Sequence, residues 1–291
     1  MEEYLNTHNT MDLLHKYGFF FKKKYGQNFL CDRGILEKIT EAAGITENDH
    51  IIEIGPGMGA LTQFLCRKAK SVTAVEIDKN LIPILNETLA DHDNVRIINA
   101  DIMKTDLNSL IKDEIGADSV NVVANLPYYI TTPIIMMLLE SRLPVKRITV
   151  MVQSEVARRM KSGPGTKDYG ALSLTVQYYS KPEIAFDVPS QCFIPRPEVT
   201  STVITMDVYD KPKICVKDEK FMFKLIRASF NQRRKTLSNA LNNDRSLNVG
   251  KEDVVRVLSD MGLSENIRGE ALTPEQFAGL SDGLSACIEK K

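Results

Sequence analysis

The chain has 291 residues, of which 43% are hydrophobic, and its net charge is −1. This length and apolar content suffice for one full core and a small second domain, and the near-zero net charge does not by itself indicate a polyanionic partner. The sequence has no apolar run of the roughly 18 residues that a membrane helix needs, and its acidic N-terminus lacks a signal-peptide core. We therefore expect a cytoplasmic protein without a membrane partner.

Charge is distributed unevenly along the chain. Residues 141–240 contain 18 Lys and Arg against 9 Asp and Glu, so the rest of the chain is acidic. This division predicts one positive surface that faces a phosphate backbone. The five cysteines and four histidines have no ligand spacing, which predicts reduced thiols and no metal site.

Residues 1–24 are predicted to be a loosely held N-terminal extension. It ends in three phenylalanines and three lysines, at positions 19–24. A lysine triplet is typical of a solvated surface. Because the polar and aromatic segment Tyr25–Leu30 follows directly, a lid over RNA or a cofactor is the alternative.

The main domain, 25–209, begins with a strand–loop–helix pattern. Asp32 is predicted to cap a helix, after which the strand His50–Ile54 leads into the glycine loop Gly55–Gly59 and a second helix. This order is typical of the first βα unit of a doubly wound sheet, although nucleotide, flavin and methyl-donor sites all use glycine loops. The G-x-G-x-G spacing, with a proline that lacks an N–H group, disfavours a pyrophosphate cradle. We expect Gly55 and Gly57 to contact a cofactor.

Acidic residues end the next two predicted strands. Glu76 lies 21 residues past Gly55, at the end of a strand from Ser71, where its two oxygens can accept from a ribose diol. Asp101 ends a strand from Val95, where it can accept from the amine of an adenine. The pattern predicts a pocket for an adenosine without phosphates, which is typical of S-adenosylmethionine.

The fourth predicted strand ends in the segment N-L-P-Y-Y, residues 125–129. The apolar run Val120–Ala124 stops there at an amide, a proline and two tyrosines. Ligands of open α/β sheets bind beyond such strand ends, and an amide with a flat ring can hold a nucleobase by its edge and its face. The alternative is a strand end that carries a turn proline and core tyrosines.

We interpret this segment as catalytic. The Asn125 side-chain oxygen and the Leu126 carbonyl are expected to accept both N–H groups of an adenine amine, which aims its lone pair at the donor methyl. Pro127 holds the turn, and Tyr128 and Phe193 are expected to sandwich the base; Phe193 begins a stiff loop with two prolines.

Residues 210–291 are predicted to form an all-helical domain. It contains a basic cluster, Arg227–Lys235, placed at a predicted helix start, where cations oppose the helix dipole. A phosphate partner would explain such a cluster, and a solvated face is the alternative. The residues expected to bind RNA are Arg147, Arg158, Arg159, Arg233, Arg234 and Lys235.

Five blocks occur in one order: K-Y-G-Q-N-F-L, E-I-G-P-G-M-G-A-L-T, N-L-P-Y-Y-I, F-I-P-R-P-E-V-T-S and N-Q-R-R-K-T-L. They resemble the ribosomal RNA adenine N6-dimethyltransferase family, most closely its bacterial small-subunit members. The resemblance covers nearly the whole chain after residue 20. It implies a class I S-adenosylmethionine-dependent methyltransferase (Rossmann-like) α/β domain with a small helical C-terminal domain. It implies donor contacts at Asn28, Leu30, Gly55, Glu76, Asp101 and Asn125.

The resemblance also implies a reaction and a partner. The expected activity is dimethylation of two adjacent adenosines near the 3′ end of small-subunit (16S) ribosomal RNA, within immature 30S subunits, by a monomer. The chain departs from the family pattern in its longer N-terminal lead, and in Glu198 and Thr200, where a lysine and an aspartate are more usual. The alternatives are a large-subunit RNA methyltransferase, a DNA or small-molecule methyltransferase, and a non-catalytic assembly factor.

Overall fold

A computed structural model describes residues 7–22 and 26–288, with side chains from residue 10 onward. The contacts divide the chain into two compact units, 1–157 with 181–208, and 158–180 with 209–291. The sequence placed 158–180 in the first domain, but its contacts group it with the C-terminal helices. Within that unit the Tyr169 hydroxyl donates to the Leu272 carbonyl (2.8 Å), and the Tyr179 hydroxyl donates to Glu219 (2.6 Å).

The first unit is an α/β domain. Its strands are β1 (Phe29–Leu30), β2 (His50–Ile54), β3 (Ser71–Glu76), β4 (Val95–Asn99), β5 (Val120–Asn125), β6 (Val145–Gln153), β7 (Ser180–Val188), β8 (Phe193–Ile194) and β9 (Ser201–Val208). Its helices are α1 (Thr7–Lys16), α2 (Arg33–Ala42), α3 (Ala60–Cys66), α4 (Ile82–Thr88), α5 (Leu107–Ser109), α6 (Thr131–Glu140) and the start of α7 (Ser154–Lys161).

Seven strands form one sheet in the order β4-β3-β2-β5-β6-β9-β7. The five strands from β4 to β6 are parallel, and β9 is antiparallel to β6. The chain winds outward from β2 in one direction and from β5 in the other, so these neighbours are the switch point of the sheet. Ligands of open α/β sheets bind at the carboxyl ends of the strands at this point.

Burial explains the position of β2 and β5. Ile51, Ile52 and Ile54 are at most 3% exposed, as are Val122 and Val123. Strands that are covered by helices on both faces have such near-continuous apolar runs, so these two belong in the centre of the sheet. The doubly wound α/β sheet that the sequence predicts is thus confirmed.

The predicted start of α2 is also confirmed. The Asp32 carboxylate accepts a hydrogen bond from the Ile35 backbone N–H (3.0 Å), which satisfies one of the free donors of the first turn. The helix ends at Ala42, and Gly44 follows in the left-handed conformation with φ +63°.

The expectation of a loosely held N-terminus is wrong for the described residues 7–22. They contain helix α1, whose Leu13 and Leu14 are 2% and 1% exposed and share a core cluster with Phe19. The apolar spacing of α1 buries one face of the helix against the domain. Lys23 and Lys24 of the predicted lysine triplet lie outside the described residues.

The second unit is helical where it is described. Besides the end of α7 it contains α8 (Ala171–Tyr179), α9 (Glu219–Asn231), α10 (Leu237–Asn242), α11 (Lys251–Asp260) and α12 (Pro274–Ile288). Helices α11 and α12 approach closely at Gly283, where a Cβ atom would lie 2.6 Å from Cγ1 of Val257. Val257 is 5% exposed and stiff about χ1, so it has little room to move.

Replacing Gly283 with alanine is therefore expected to destabilise the protein. Overpacking of a core costs about 1 to 3 kcal/mol, and the better helix propensity of alanine offsets up to about 1 kcal/mol. Urea unfolding measures the change. The matched control is Gly163→Ala, where nothing lies within 4 Å of the added Cβ, and this change should stay within about 0.5 kcal/mol. Equal stability of the two variants would contradict the close approach.

Candidate active site

A cavity opens at the carboxyl ends of β2 and β5, within the first unit. Most of the residues predicted to form the site line this cavity. They are Asn28, Leu30, Gly55, Gly57, Glu76, Asn125, Leu126, Pro127 and Tyr128. Further lining residues that the sequence did not single out as site residues include Thr10, Glu53, Met58, Ile77 and Leu81.

The amide of Asn125 is oriented by a long-range hydrogen bond. Its Nδ2 donates to the backbone carbonyl of Asn28 at 3.0 Å, across 97 residues of sequence. Because only the nitrogen of the amide can donate to a carbonyl, the side-chain oxygen is left as an acceptor. The next peptide is held as well, since the Leu126 N–H donates to the Met151 carbonyl of β6 (3.1 Å). The end of β5 thus presents a fixed amide and a fixed peptide at the cavity.

The two tyrosines of the segment have different environments. The Tyr128 hydroxyl lies 2.7 Å from Oγ of Ser201, a fully buried residue at the start of β9. Burial raises the pKa of Tyr128, so the ring stays neutral while one edge is anchored. Tyr129 is 56% exposed. Tyr128 therefore has a fixed position in the cavity wall.

Glu76 is held by the glycine loop. Its Oε2 accepts from the Gly57 N–H (3.2 Å) and its Oε1 accepts from the Asp78 N–H (2.8 Å). Burial raises the pKa of Glu76 to about 7, although these hydrogen bonds favour its charged form. Gly57 has φ +63°, and a Cβ there would lie 3.0 Å from the ring of Phe29, so glycine is required at this position.

A second carboxyl group, Glu53, was missed by the sequence reasoning. It is 1% exposed, lines the cavity, and its Oε2 has no hydrogen-bond partner among the described residues. Burial raises the pKa of Glu53 to about 8, and the nearby charge of Glu76 adds to the increase. A glutamate between isoleucines in a buried strand, directly before the glycine loop, was the signal that could have identified it.

Two predicted site residues do not line the cavity. Asp101 lies beyond the end of β4 at Asn99, and its carboxylate caps a short 3-10 helix by accepting from the Met103 N–H (3.0 Å). Phe193 is 2% exposed and packs in a core cluster with Leu30, its strand partner. In this conformation Phe193 cannot stack on a base opposite Tyr128, because other side chains enclose its ring.

The basic residues differ in how they are held. Arg147 lies near the start of β6, away from the strand ends that form the cavity, and it pairs with Asp207 of β9 (2.6 Å). Arg233 pairs with Glu270 (2.5 Å) and donates to the Thr166 carbonyl (3.1 Å), so it ties segments of the second unit together. The residues among the six that remain exposed are Arg158, Arg234 and Lys235, and Arg159 is half-buried.

The predicted helix-dipole conflict holds at one of the two helix ends that flank the basic cluster. Helix α9 ends at Asn231 and α10 begins at Leu237, so Arg233–Lys235 follow the C-terminal end of one helix and precede the next. Cations near a helix C-terminus are stabilised by the dipole. The same cations also precede α10, whose dipole they oppose, so the effects of the two helix ends offset each other. The exposure of Arg234 and Lys235 is the remaining argument for RNA contact.

Membrane-spanning helices and metal-binding clusters are both absent from the described part of the chain. No helix there is long and apolar enough to cross a membrane. Within the same residues, no group of three or more His, Cys, Asp or Glu side chains could hold a metal ion.

Comparisons with known proteins agree with this geometry. A family model described as "Ribosomal RNA adenine dimethylase" matches residues 18–283. The chain is 57% identical over 274 residues to "Ribosomal RNA small subunit methyltransferase A" of Lachnoclostridium phytofermentans, with 94% of each chain covered. It is 50% identical to the protein of the same name from Alkaliphilus oremlandii, with 98% of this chain and 99% of the relative covered.

Two solved structures are similar along most of their length. A dimethyladenosine transferase from Plasmodium falciparum matches with a TM-score of 0.72 and 26% identity, covering 87% of this chain and 95% of that one. The 23S rRNA methyltransferase ErmE matches with a TM-score of 0.66 and 25% identity, covering 88% and 99%.

The raised pKa of Glu53 predicts a pH dependence of stability. Between the ordinary glutamate pKa of about 4.3 in the unfolded chain and about 8 in the folded protein, the folded state keeps a proton that the unfolded state releases. The free energy of unfolding should thus fall as pH rises through this window. In Glu53→Gln the fall should be shallower, by up to about 1.4 kcal/mol per pH unit near pH 6.

Urea unfolding from pH 5 to 8.5 measures this slope. Glu76, whose pKa is also raised, leaves a residual slope in the variant. The control is Glu37→Gln, which removes an exposed carboxylate paired with Arg33 on α2. Parallel pH profiles for wild type and Glu53→Gln would show that Glu53 is ionised in the folded protein.

Proposed function

Since this chain belongs to the ribosomal RNA adenine dimethylase family, we propose that it dimethylates the exocyclic nitrogens of two adjacent adenosines near the 3′ end of small-subunit ribosomal RNA, with S-adenosylmethionine as donor. The small-subunit substrate is supported by curated relatives at 48–57% identity, which carry the name small subunit methyltransferase A. The N-L-P-Y segment supports it as well, because the related large-subunit enzymes generally have N-I-P-Y. Action on immature 30S subunits, as a monomer in the cytoplasm, stays a prediction.

One observation carries the choice of donor. The described lining of the cavity contains two carboxyl groups, Glu53 and Glu76, and neither lysine nor arginine. Phosphate-bearing cofactors need cations or free N–H groups, whereas an acidic pocket favours a ligand with positive charge. When bound, S-adenosylmethionine supplies a methyl group on a positively charged sulfonium. The cavity therefore fits this donor better than a dinucleotide.

The remaining donor contacts follow from the lining residues. Asn28, Leu30 and the glycine loop with Gly55 and Gly57 surround the site, and Glu76 is placed to accept from the ribose hydroxyls. Its two oxygens each keep a second lone pair beyond the N–H groups they already bind. Glu53 lines the same cavity, and a positively charged donor would favour its ionised form. The predicted contact at Asp101 has no support from the cavity lining.

The catalytic step needs orientation rather than a strong base. The lone pair of an adenine amine is delocalised into the ring, which makes the nitrogen a poor nucleophile. The Asn125 oxygen and the Leu126 carbonyl would accept its two N–H groups and favour a pyramidal nitrogen whose lone pair faces the donor methyl. Positive charge develops on this nitrogen as the bond forms, and the two carbonyl dipoles stabilise it.

Tyr128 is the proposed platform for the base. Its ring lines the cavity and its hydroxyl is hydrogen-bonded to Ser201. Because the ring is already held in place, stacking on a base costs it little conformational entropy. A stacked base is worth roughly 1 to 3 kcal/mol, and extruding an adenine from its neighbours costs a few kcal/mol. Phe193 could join the stack only after leaving the core cluster, so the base contact is proposed for Tyr128 first.

Transfer of labelled methyl groups tests the function. Small subunits from a strain that lacks the modification are incubated with S-adenosylmethionine and the protein, and mass spectrometry locates the modified adenosines. Two adjacent dimethyladenosines near the 3′ end are expected. Modification of large-subunit RNA instead would indicate the antibiotic-resistance type of enzyme, and absence of any transfer would contradict the proposed activity.

Asn125→Ala is expected to lower methyl transfer by at least about 10²-fold, because it removes one of the two dipoles that orient the nitrogen and stabilise its charge. Binding of S-adenosylmethionine should persist, at least weakly. Single-turnover kinetics and calorimetric titration separate the two effects. Asn48→Ala, in an exposed turn, is the control. Near-normal turnover by Asn125→Ala would refute the assignment.

The exposed cations of the second unit are expected to bind phosphates. Changing both Arg234 and Lys235 to glutamine should weaken RNA binding and reduce the slope of log K against log salt by roughly 1.4 to 1.8, since each phosphate contact contributes about 0.7 to 0.9. Filter binding at several salt concentrations measures it. Arg233→Gln should instead lower stability, because it breaks the Glu270 pair. If the slope of log K against log salt is unchanged in the double variant, Arg234 and Lys235 do not contact RNA phosphates.

A further inference from the structure

The N-terminal segment, defined here as residues 10–22, contributes to the wall of the cavity. Thr10 of α1 lines it and is 2% exposed. On the same side, Leu13, Leu14 and Phe19 pack in one cluster with Met58 and Leu81, which also line the cavity. The segment thus closes a side of the site that the sheet and the glycine loop leave open.

Aromatic contacts connect the segment to the glycine loop. Phe19 and Phe21 both pack on Phe29, with ring centroids 5.9 Å and 5.6 Å away. The ring of Phe29 in turn lies against Gly57, at 3.0 Å from the position of a Cβ. A displacement of the segment would remove the support of Phe29 and so of the loop at Gly57.

A chain of hydrogen bonds connects Lys22, at the C-terminal end of the segment, to Glu76 through Asp78. Lys22 pairs with Asp78 (2.8 Å), which is 1% exposed and also accepts from Gln27 (3.1 Å). The Asp78 N–H donates to Glu76. Burial of Asp78 raises its pKa, but the hydrogen bonds from Lys22, Asn80 and Gln27 outweigh burial and lower the pKa overall, so Asp78 stays charged.

The segment is fastened at the outer surface by Glu87 of α4. The Glu87 carboxylate accepts from Lys16 Nζ (2.7 and 2.6 Å) and from the Tyr17 hydroxyl (2.5 Å). These three residues, defined here as the Glu87 latch, lie away from the cavity lining. They hold the C-terminal end of α1 against the domain.

We propose that the N-terminal segment is part of the methyl-donor site: it closes the cavity over bound S-adenosylmethionine, and the Glu87 latch sets how much of the protein has the closed, binding-competent cavity. The inference rests on the donor assigned under the proposed function. Because affinity falls with the fraction of competent protein, loosening the latch weakens donor binding without touching a donor contact.

Calorimetric titration with S-adenosylhomocysteine, the product form of the donor, tests the proposal in a graded series. Glu87→Gln should weaken binding by about three- to tenfold, and Lys16→Gln and Tyr17→Phe by less, since each removes part of a charge-assisted network. Glu37→Gln, which removes the exposed pair with Arg33, is the control and should bind like wild type. Thermal melting without ligand verifies that each variant is folded.

Amide hydrogen exchange in the wild-type protein provides a second test that needs no substitution. Amides of residues 10–19 should exchange more slowly when S-adenosylhomocysteine is added to the wild-type protein. Unchanged affinity across the latch series, together with unchanged exchange, would show that the segment is only packing and would overturn the proposal. A wild-type protein that does not bind S-adenosylhomocysteine at all would instead overturn the donor assignment itself.

Discussion

The hydrogen bond from the Asn125 amide to the Asn28 carbonyl is the constraint on which the site depends. It joins the end of β5 to the residue before β1, and these positions are far apart in sequence. The bond uses the amide nitrogen, which leaves the oxygen as the acceptor that an adenine amine requires. The sheet order supplies the rest, because the switch point between β2 and β5 brings the glycine loop and this amide to the same edge.

The buried carboxyl groups of the cavity lower the stability of the free protein but favour binding of a positively charged ligand. Glu53 and Glu76 are at most 4% exposed, and burial raises the pKa of each. A buried carboxyl without a full set of partners costs free energy in the empty protein. A positively charged donor would favour the ionised form of both groups and offset this cost on binding, and no lysine or arginine in the described lining competes with it. The same feature that lowers the stability of the free protein thus discriminates against phosphate-bearing cofactors.

The N-terminal segment and the glycine loop are mechanically connected through Phe29. Its ring fills the space that a side chain at Gly57 would need, and Phe19 and Phe21 pack against the same ring. Glycine at position 57 is therefore required both by its positive φ and by this ring. In the proposed site, the loop that surrounds the donor is supported from outside the sheet, which makes residues distant from the chemistry relevant to donor affinity.

The sequence by itself determined most of the strands and helices and the edge of the sheet at which they meet, although it missed helix α1. Strand and helix periodicity, the Asp32 cap, the G-x-G-x-G turn and the proline after Asn125 are local signals, and the structure confirms the strands and helices that they predict. Tertiary structure alone decided the partner of each side chain. In the folded protein Asp101 caps a short helix and Phe193 is buried in a core cluster. Arg147 and Arg233 pair with acidic side chains, and Glu53 and Thr10 line the cavity. These outcomes depend on contacts between residues remote in sequence, and no local pattern encodes which distant group a side chain will meet.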